Sequence, residues 1–170
     1  GIIQNLQRGV IMNSAMAPLI EIYRANNMLL LNAVKDVKES DLSLRPDDKA
    51  NSMLWIAGHM TAARYMATKM VGHEEECPWG DLFSRGEAVD NSAVPDMTEI
   101  VEVCNGISKT MLNVLTNAPD EILEAPSTLD LPVEDNNVLN GIAFLAMHDS
   151  YHIGQLAYIR RLLGYNQLVG

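Results

Sequence analysis

The segment FLAMHDSYHIGQLAYIRRLLG (residues 144–164) carries two histidines four positions apart on what otherwise reads as the core-facing side of a long helix. Helical periodicity extends from near Asn137 to Leu163, and Gly164 is a natural stop. At about 1.5 Å per residue, such a helix is roughly 40 Å long. One row, at steps of three and four residues, contains Ile142, Leu145, His148, His152, Leu156, Ile159 and Leu163. Both histidines therefore lie within the apolar stripe itself.

Three earlier segments show the same periodicity, separated by stretches rich in Pro, Gly, Asp and Asn. These helices are expected at about Met16–Val37, from a cap at Asn51 or Ser52 to Gly72, and from a cap at Asp96 to just before Pro119. The predicted inward face of the second contains Trp55, Ile56, His59, Ala63, Met66 and Met70. No sustained β-alternation and no nucleotide-binding glycine motif occurs. The sequence thus predicts an all-α fold, a four-helix bundle forming a single domain over residues 1–170.

The connections are long for a bundle. Residues 72–95 exceed a tight helical hairpin, and we expect them to cross or cover one end of the bundle. The LDLP segment near residue 130 is expected to add a short extended piece.

The composition and charge of the chain argue against nucleic acid and membranes as binding partners. The chain has 170 residues, 48% of them hydrophobic, and a formal charge of -10 from 22 acidic and 12 basic residues. Such a surface repels nucleic acid and anionic membranes, and no apolar run is long enough to span a bilayer. The N-terminal residues lack the pattern of a secretion signal, so a soluble, cytoplasmic protein is expected. Cys77 and Cys104 are too few for a disulfide framework and are expected to be reduced thiols.

The histidines are the candidate chemistry. His148 and His152, one helical turn apart, point the same way and can share one metal ion, and His59 on the apolar face of the second helix is the candidate third ligand. Three neutral imidazoles would leave coordination positions open for water or substrate, as in catalytic sites. A histidine on an apolar face is more often a satisfied core residue, so a metal-free bundle is the competing interpretation. His73, in HEEEC (residues 73–77), resembles a metal motif but lacks the second histidine.

Two segments together resemble a known family. NSMLWIAGHM (residues 51–60) and HDSYHIGQLAYIRRLLG (residues 148–164), preceded by LRPDDKANS in the loop before the second helix, resemble the DinB-like (YfiT-like) metalloenzymes. The resemblance implies a four-helix bundle with unusual connectivity, a divalent metal at a three-histidine site, and frequent homodimerisation. His59, His148 and His152 match the metal ligands of the family. Members with assigned chemistry include thiol S-transferases that use low-molecular-weight thiols and a thiol-dependent isomerase.

Two functional hypotheses follow. The first is a metal-dependent enzyme that uses Zn, Ni or Fe at the three histidines to activate a thiol or water for transfer to, or hydrolysis of, a small-molecule substrate. The second is a non-catalytic module that keeps the metal to recognise a ligand or to stabilise a dimer. No catalytic side chain is assigned; Gln155, three residues after His152, is either a hydrogen-bonding partner of the site or a structural amide.

Overall fold

The structure, a computed structural model, describes residues 12–84 and 94–169. Within those ranges the chain is helical and contains no β-strand; one isolated antiparallel bridge joins Pro126 to Asn137. The described helices are α1 (Met16–Val34), α2 (Glu39–Leu42), α3 (Met53–Met70), α4 (Met97–Thr116), α5 (Asp120–Glu124) and α6 (Val138–Leu162). The four long helices form the predicted four-helix bundle.

The order of the helices around the bundle differs from their order along the chain. Both α1 and α3 pack mainly against α4 and α6, so α1 lies diagonally opposite α3, and α4 lies diagonally opposite α6. In a simple up-down-up-down bundle, successive helices are neighbours joined by short loops. Here the connections from α1 to α3 and from α4 to α6 have to cross the end of the bundle, which accounts for their length.

Side-chain caps begin three of the long helices. The sequence predicted the caps of α3 and α4, and for α6 it predicted a start near Asn137. Ser52 Oγ accepts from Trp55 N (3.1 Å) at α3, Asp96 Oδ1 from Glu99 N (2.9 Å) at α4, and Asn137 Oδ1 from Asn140 N (2.8 Å) at α6. Gly72 follows α3 with φ +89° and Gly164 follows α6 with φ +87°, the left-handed conformation that ends helices.

A layer of polar side chains crosses the middle of the bundle. One apolar cluster contains Leu30 of α1, Met60 of α3 and Leu156 of α6, and the other contains residues nearer the opposite ends of the same helices. Between the two clusters each long helix contributes a buried or half-buried polar group, namely Asn27, Arg64, Ser108 and Asp149. We call these four, together with the Cys104 thiol of the first cluster, the polar layer. The core therefore consists of two apolar clusters with the polar layer between them.

Arg64 is the centre of this layer. Its Nη1 donates to Asn27 Oδ1 (3.2 Å), Ser108 Oγ (3.0 Å) and Cys104 Sγ (2.6 Å), while Nη2 lies 3.5 Å from Asp149 Oδ2. Arg64 and Asp149 are 1% and 2% exposed. The guanidinium thus ties α3 to all three other long helices.

Several sequence expectations were wrong in detail. The first helix ends at Val34, and the chain then turns into the short α2, although Val37 is buried as predicted. Met66, expected to face inward, is 43% exposed because the buried row of α3 passes through Arg64 instead. The LDLP segment forms no strand, and the nearby pairing is the isolated bridge that precedes α6.

Some expectations concern residues outside the described ranges, namely the N-terminal segment 1–11 and part of the connection between α3 and α4, residues 85–93. In the described part of the chain, no helix combines the length and apolarity needed to cross a membrane. Cys77 and Cys104 are both free thiols, the first half-buried and the second buried.

Candidate metal centre

The three histidines singled out by the sequence come together between α3 and α6. His148 Nε2 lies 3.1 Å from His59 Nε2 and 3.1 Å from His152 Nε2. One nitrogen from each ring lies within 4.8 Å of the other two. Among residues 12–84 and 94–169, this is the group of three or more His, Cys, Asp or Glu side chains whose atoms are close enough to hold one ion.

The His59 ring is fixed on two sides. Its Nδ1 lies 2.7 Å from the carbonyl oxygen of Phe83, and the ring stacks on Trp55 with centroids 4.8 Å apart and planes inclined by 12°. Because a carbonyl oxygen only accepts, Nδ1 carries the hydrogen in this bond. The lone pair of His59 is therefore on Nε2, which faces the other two histidines.

His152 is oriented in the same way by its own helix. Its Nδ1 lies 2.7 Å from Gln155 Oε1, and Gln155 Nε2 donates to the hydroxyl of Tyr151 over 3.2 Å. The amide is held by both contacts, so Nδ1 of His152 donates and Nε2 presents the lone pair. Gln155 is thus a direct partner of the histidine cluster.

His148 stands between the other two rings. Its Nδ1 is buried and has no hydrogen-bond partner among the described residues. If the neutral ring carries its hydrogen on Nε2, that hydrogen can satisfy only one of the two acceptor nitrogens at 3.1 Å. If the hydrogen is on Nδ1 instead, three imidazole lone pairs converge on one point with no hydrogen between them. In neither tautomer do hydrogen bonds satisfy all three nitrogens, whereas a cation does, and the donor set fits a divalent metal.

Burial favours the neutral form of His148 and His152. It lowers the pKa of His148 from 6.5 to about 4, with His152 and His59 adding to the shift. Burial also lowers the pKa of His152, against the opposing effect of its bond to Gln155. Metal ligands must be unprotonated, so both rings are in the binding form at neutral pH.

The remaining candidates lie apart from this cluster. His73 Nε2 pairs with Glu75 Oε2 at 3.1 Å and lies outside the histidine cluster. Sequence reasoning missed the Phe83 carbonyl, because a backbone acceptor leaves no residue-type signal. It also missed Arg64 and Asp149, whose pairing joins positions 85 residues apart.

The fold and the three converging histidines define a helical-bundle protein with a site suited to a metal. A profile of the DinB superfamily matches residues 22–156, and the chain belongs to this superfamily. Among solved structures it is similar to YfiT from Bacillus subtilis, described as "a probable metal-dependent hydrolase with an unusual four-helix bundle topology". That similarity covers 89% of each chain, with a TM-score of 0.67 and 16% identity, and concerns the fold. No curated protein sequence matches this chain.

Proposed function

We propose that this protein is a metal-dependent enzyme in which His59, His148 and His152 hold a divalent ion, Zn, Ni or Fe. One observation carries the proposal: the Nδ1 atoms of His59 and His152 are engaged by acceptors, so their Nε2 lone pairs meet His148 Nε2 with no donor able to satisfy both. Three histidine ligands leave coordination positions for a water or a substrate, as in catalytic rather than structural sites.

When bound, the ion would act as a Lewis acid that lowers the pKa of a water or thiol and makes it nucleophilic near neutral pH. The residues of the chain supply the setting. Trp55, 9% exposed, and Phe83, 1% exposed, close the side of the site next to His59 and exclude water there. Tyr151 lies beside His152, with ring centroids 5.1 Å apart, and a small-molecule substrate, including a low-molecular-weight thiol, would bind at the coordination positions that the three histidines leave open.

The site could support hydrolysis or thiol transfer, and activity assays distinguish the two reactions. The likeness to YfiT supports testing hydrolysis first. Wild type, His148→Ala and His73→Ala would each be incubated with Zn, Ni or Fe and with activated esters and amides, and then with a thiol and an electrophile. We expect metal-dependent turnover that His148→Ala abolishes and His73→Ala keeps. A metal-bound wild type that turns over neither class would contradict the enzymatic proposal and favour the non-catalytic binding module.

We also propose that the protein is a homodimer assembled through α6. Met147, Tyr151, Tyr158 and Leu162 are 53%, 60%, 68% and 58% exposed at steps of three or four residues when Gly154 is included. A row of exposed apolar side chains on one helix is unusual for a monomer, and nothing lies within 4 Å of a Cβ built on Gly154, so a second helix can approach closely there. Light scattering should give the dimer mass, and Tyr158→Glu should give the monomer. A monomeric wild type at micromolar concentration would exclude the dimer.

A further inference from the structure

Residues 77–84, in the connection that follows α3, contact the bundle next to the histidines. We define the covering segment as residues 77–84, which form successive turns closed by backbone bonds from Gly80 N to Cys77 O (3.1 Å), Leu82 N to Trp79 O (3.1 Å) and Ser84 N to Asp81 O (2.9 Å). Trp79 Nε1 donates to Glu99 Oε1 of α4 over 3.0 Å. The segment is therefore anchored at one point by a side chain of α4.

Its second anchor is the ring of Phe83. The ring is 1% exposed and meets Trp79 edge-on, with centroids 5.4 Å apart. It occupies a recess that exists because residue 58 is glycine: a Cβ built there would lie 2.6 Å from three ring atoms, Cε1, Cε2 and Cζ. An alanine at position 58 would force the ring back by about 1 Å to reach ordinary carbon–carbon contact at ~3.5–4.0 Å.

The same residue provides the acceptor for His59. The Phe83 ring packs on Gly58, and the Phe83 carbonyl accepts from Nδ1 of the next residue, His59, at 2.7 Å. A backbone shift of about 1 Å would take this bond beyond the ~3.2 Å at which N–H···O bonds are normally formed. The packing of the Phe83 ring against Gly58 and the orientation of the His59 imidazole therefore depend on each other.

We propose that Phe83 is a positioning residue for the metal centre: its ring, seated against Gly58, holds its own carbonyl on His59 Nδ1 and thereby keeps the Nε2 lone pair of His59 directed at the other two histidines. This inference rests on the proposed function for its metal, but not for its effect on the imidazole. Groups that orient a metal-ligating histidine typically contribute about 10- to 100-fold to metal affinity.

The linkage also works in the opposite direction. A ligand that binds the oriented imidazole more tightly than the free one must stabilise the seated covering segment by the same factor. Metal binding should therefore slow hydrogen exchange of the backbone amides of Gly80, Leu82 and Ser84, which close the turns of the segment.

The test compares four single variants of the full chain. Gly58→Ala and Phe83→Ala unseat the ring without touching any histidine. Gly106→Ala is the matched glycine control, because it lies in α4 and a Cβ there meets nothing within 4 Å. Leu123→Ala is the core control, since Leu123 is 0% exposed and belongs to the other apolar cluster. The double variant Gly58→Ala with Phe83→Ala completes a cycle.

Two readouts are measured on each variant. Nitrogen-15 NMR of the metal-free protein at neutral pH reports the tautomer of His59, and competition with a chelating dye reports the affinity for Zn. We expect a single Nδ1–H tautomer in wild type and in both controls, and mixed tautomers with a 10- to 100-fold lower affinity in Gly58→Ala and Phe83→Ala. The double variant should bind Zn no more weakly than the weaker-binding of the two single variants, because both changes disrupt the same contact between Phe83 and Gly58.

The outcomes separate the two proposals. A wild type that binds none of Zn, Ni and Fe would refute the proposed function, while the His59 tautomers of the variants would still decide the role of Phe83. Equal Zn affinity and an unchanged His59 tautomer in Gly58→Ala, Phe83→Ala and wild type would overturn the positioning role. A loss of thermal stability in Leu123→Ala without a loss of Zn affinity is expected and excludes a general effect of core damage.

Discussion

A change that breaks the ion pair between Arg64 and Asp149 in the polar layer should strongly destabilise the fold. The pair is almost fully buried, with Nη2 and Oδ2 3.5 Å apart, and burial raises the pKa of the Asp149 carboxyl against the opposing effects of Arg64 and Asn26. Asp149→Asn keeps the shape of the side chain but leaves the guanidinium without a counter-charge. Breaking a buried pair in this way costs about 3–5 kcal/mol. That is a large part of the roughly 5–15 kcal/mol by which domains are stable.

Urea unfolding of the metal-free protein, followed by circular dichroism, measures this loss. With a slope near 2 kcal/mol per molar urea, the midpoint of Asp149→Asn should fall by about 2 M. Glu76→Gln is the matched control: it also changes a carboxylate into an amide in an ion pair, with Lys69 at 3.1 Å, but Glu76 is 81% exposed, and the change should stay within about 0.5 kcal/mol. Adding Arg64→Met to Asp149→Asn should cost less than the sum of the two single changes. Asp149→Asn within about 1 kcal/mol of wild type would refute the reasoning.

Three further predictions concern single residues. Between pH 6.5 and about 4, His148 of the unfolded chain binds a proton that His148 of the folded chain does not, so the metal-free protein should lose stability as the pH falls through this window. In urea melts, His148→Asn should weaken this pH dependence. Equal pH dependence in wild type and variant would contradict the prediction. Gln155→Leu removes the acceptor of His152 Nδ1 and should lower Zn affinity about 10- to 100-fold. Gln155→Glu keeps an acceptor and should bind Zn nearly as tightly as wild type. Equal Zn affinities of Gln155→Leu and wild type would exclude a role of Gln155 in orienting His152. Ser52→Ala should destabilise the protein by about 1 kcal/mol through loss of the α3 cap, and an unchanged melting temperature would count against it.

Local signals were sufficient to predict the long helices. Ser52, Asp96 and Asn137 cap three of them with their own side chains, and Gly72 and Gly164 end two of them, so short stretches of sequence determine these boundaries. Helix α1 has no side-chain cap. The short α2 and α5, with four and five residues, span little more than one turn and leave no periodic pattern.

Long-range partners could not be predicted from the sequence. An arginine such as Arg64 is usually exposed, and its partners Asn27, Ser108 and Asp149 lie on three other helices that are distant in sequence. Because Arg64 is buried, Met66, two residues further along α3, is exposed. The histidine row predicted which rings could meet because periodicity reports facing directions. The acceptor of His59 belongs to a connecting segment, and no helical pattern describes where that segment lies.

Metal content of the wild type and of single histidine variants tests the central claim most directly. Protein purified without a polyhistidine tag would be loaded with Zn, Ni or Fe in turn, dialysed and analysed for elemental content, with helicity checked by circular dichroism. We predict about one ion per chain for wild type and for His73→Ala, and loss of the ion in His59→Ala, His148→Ala and His152→Ala with the helical spectrum retained. A wild type without bound ion, or full occupancy in both His148→Ala and His152→Ala, would contradict the account.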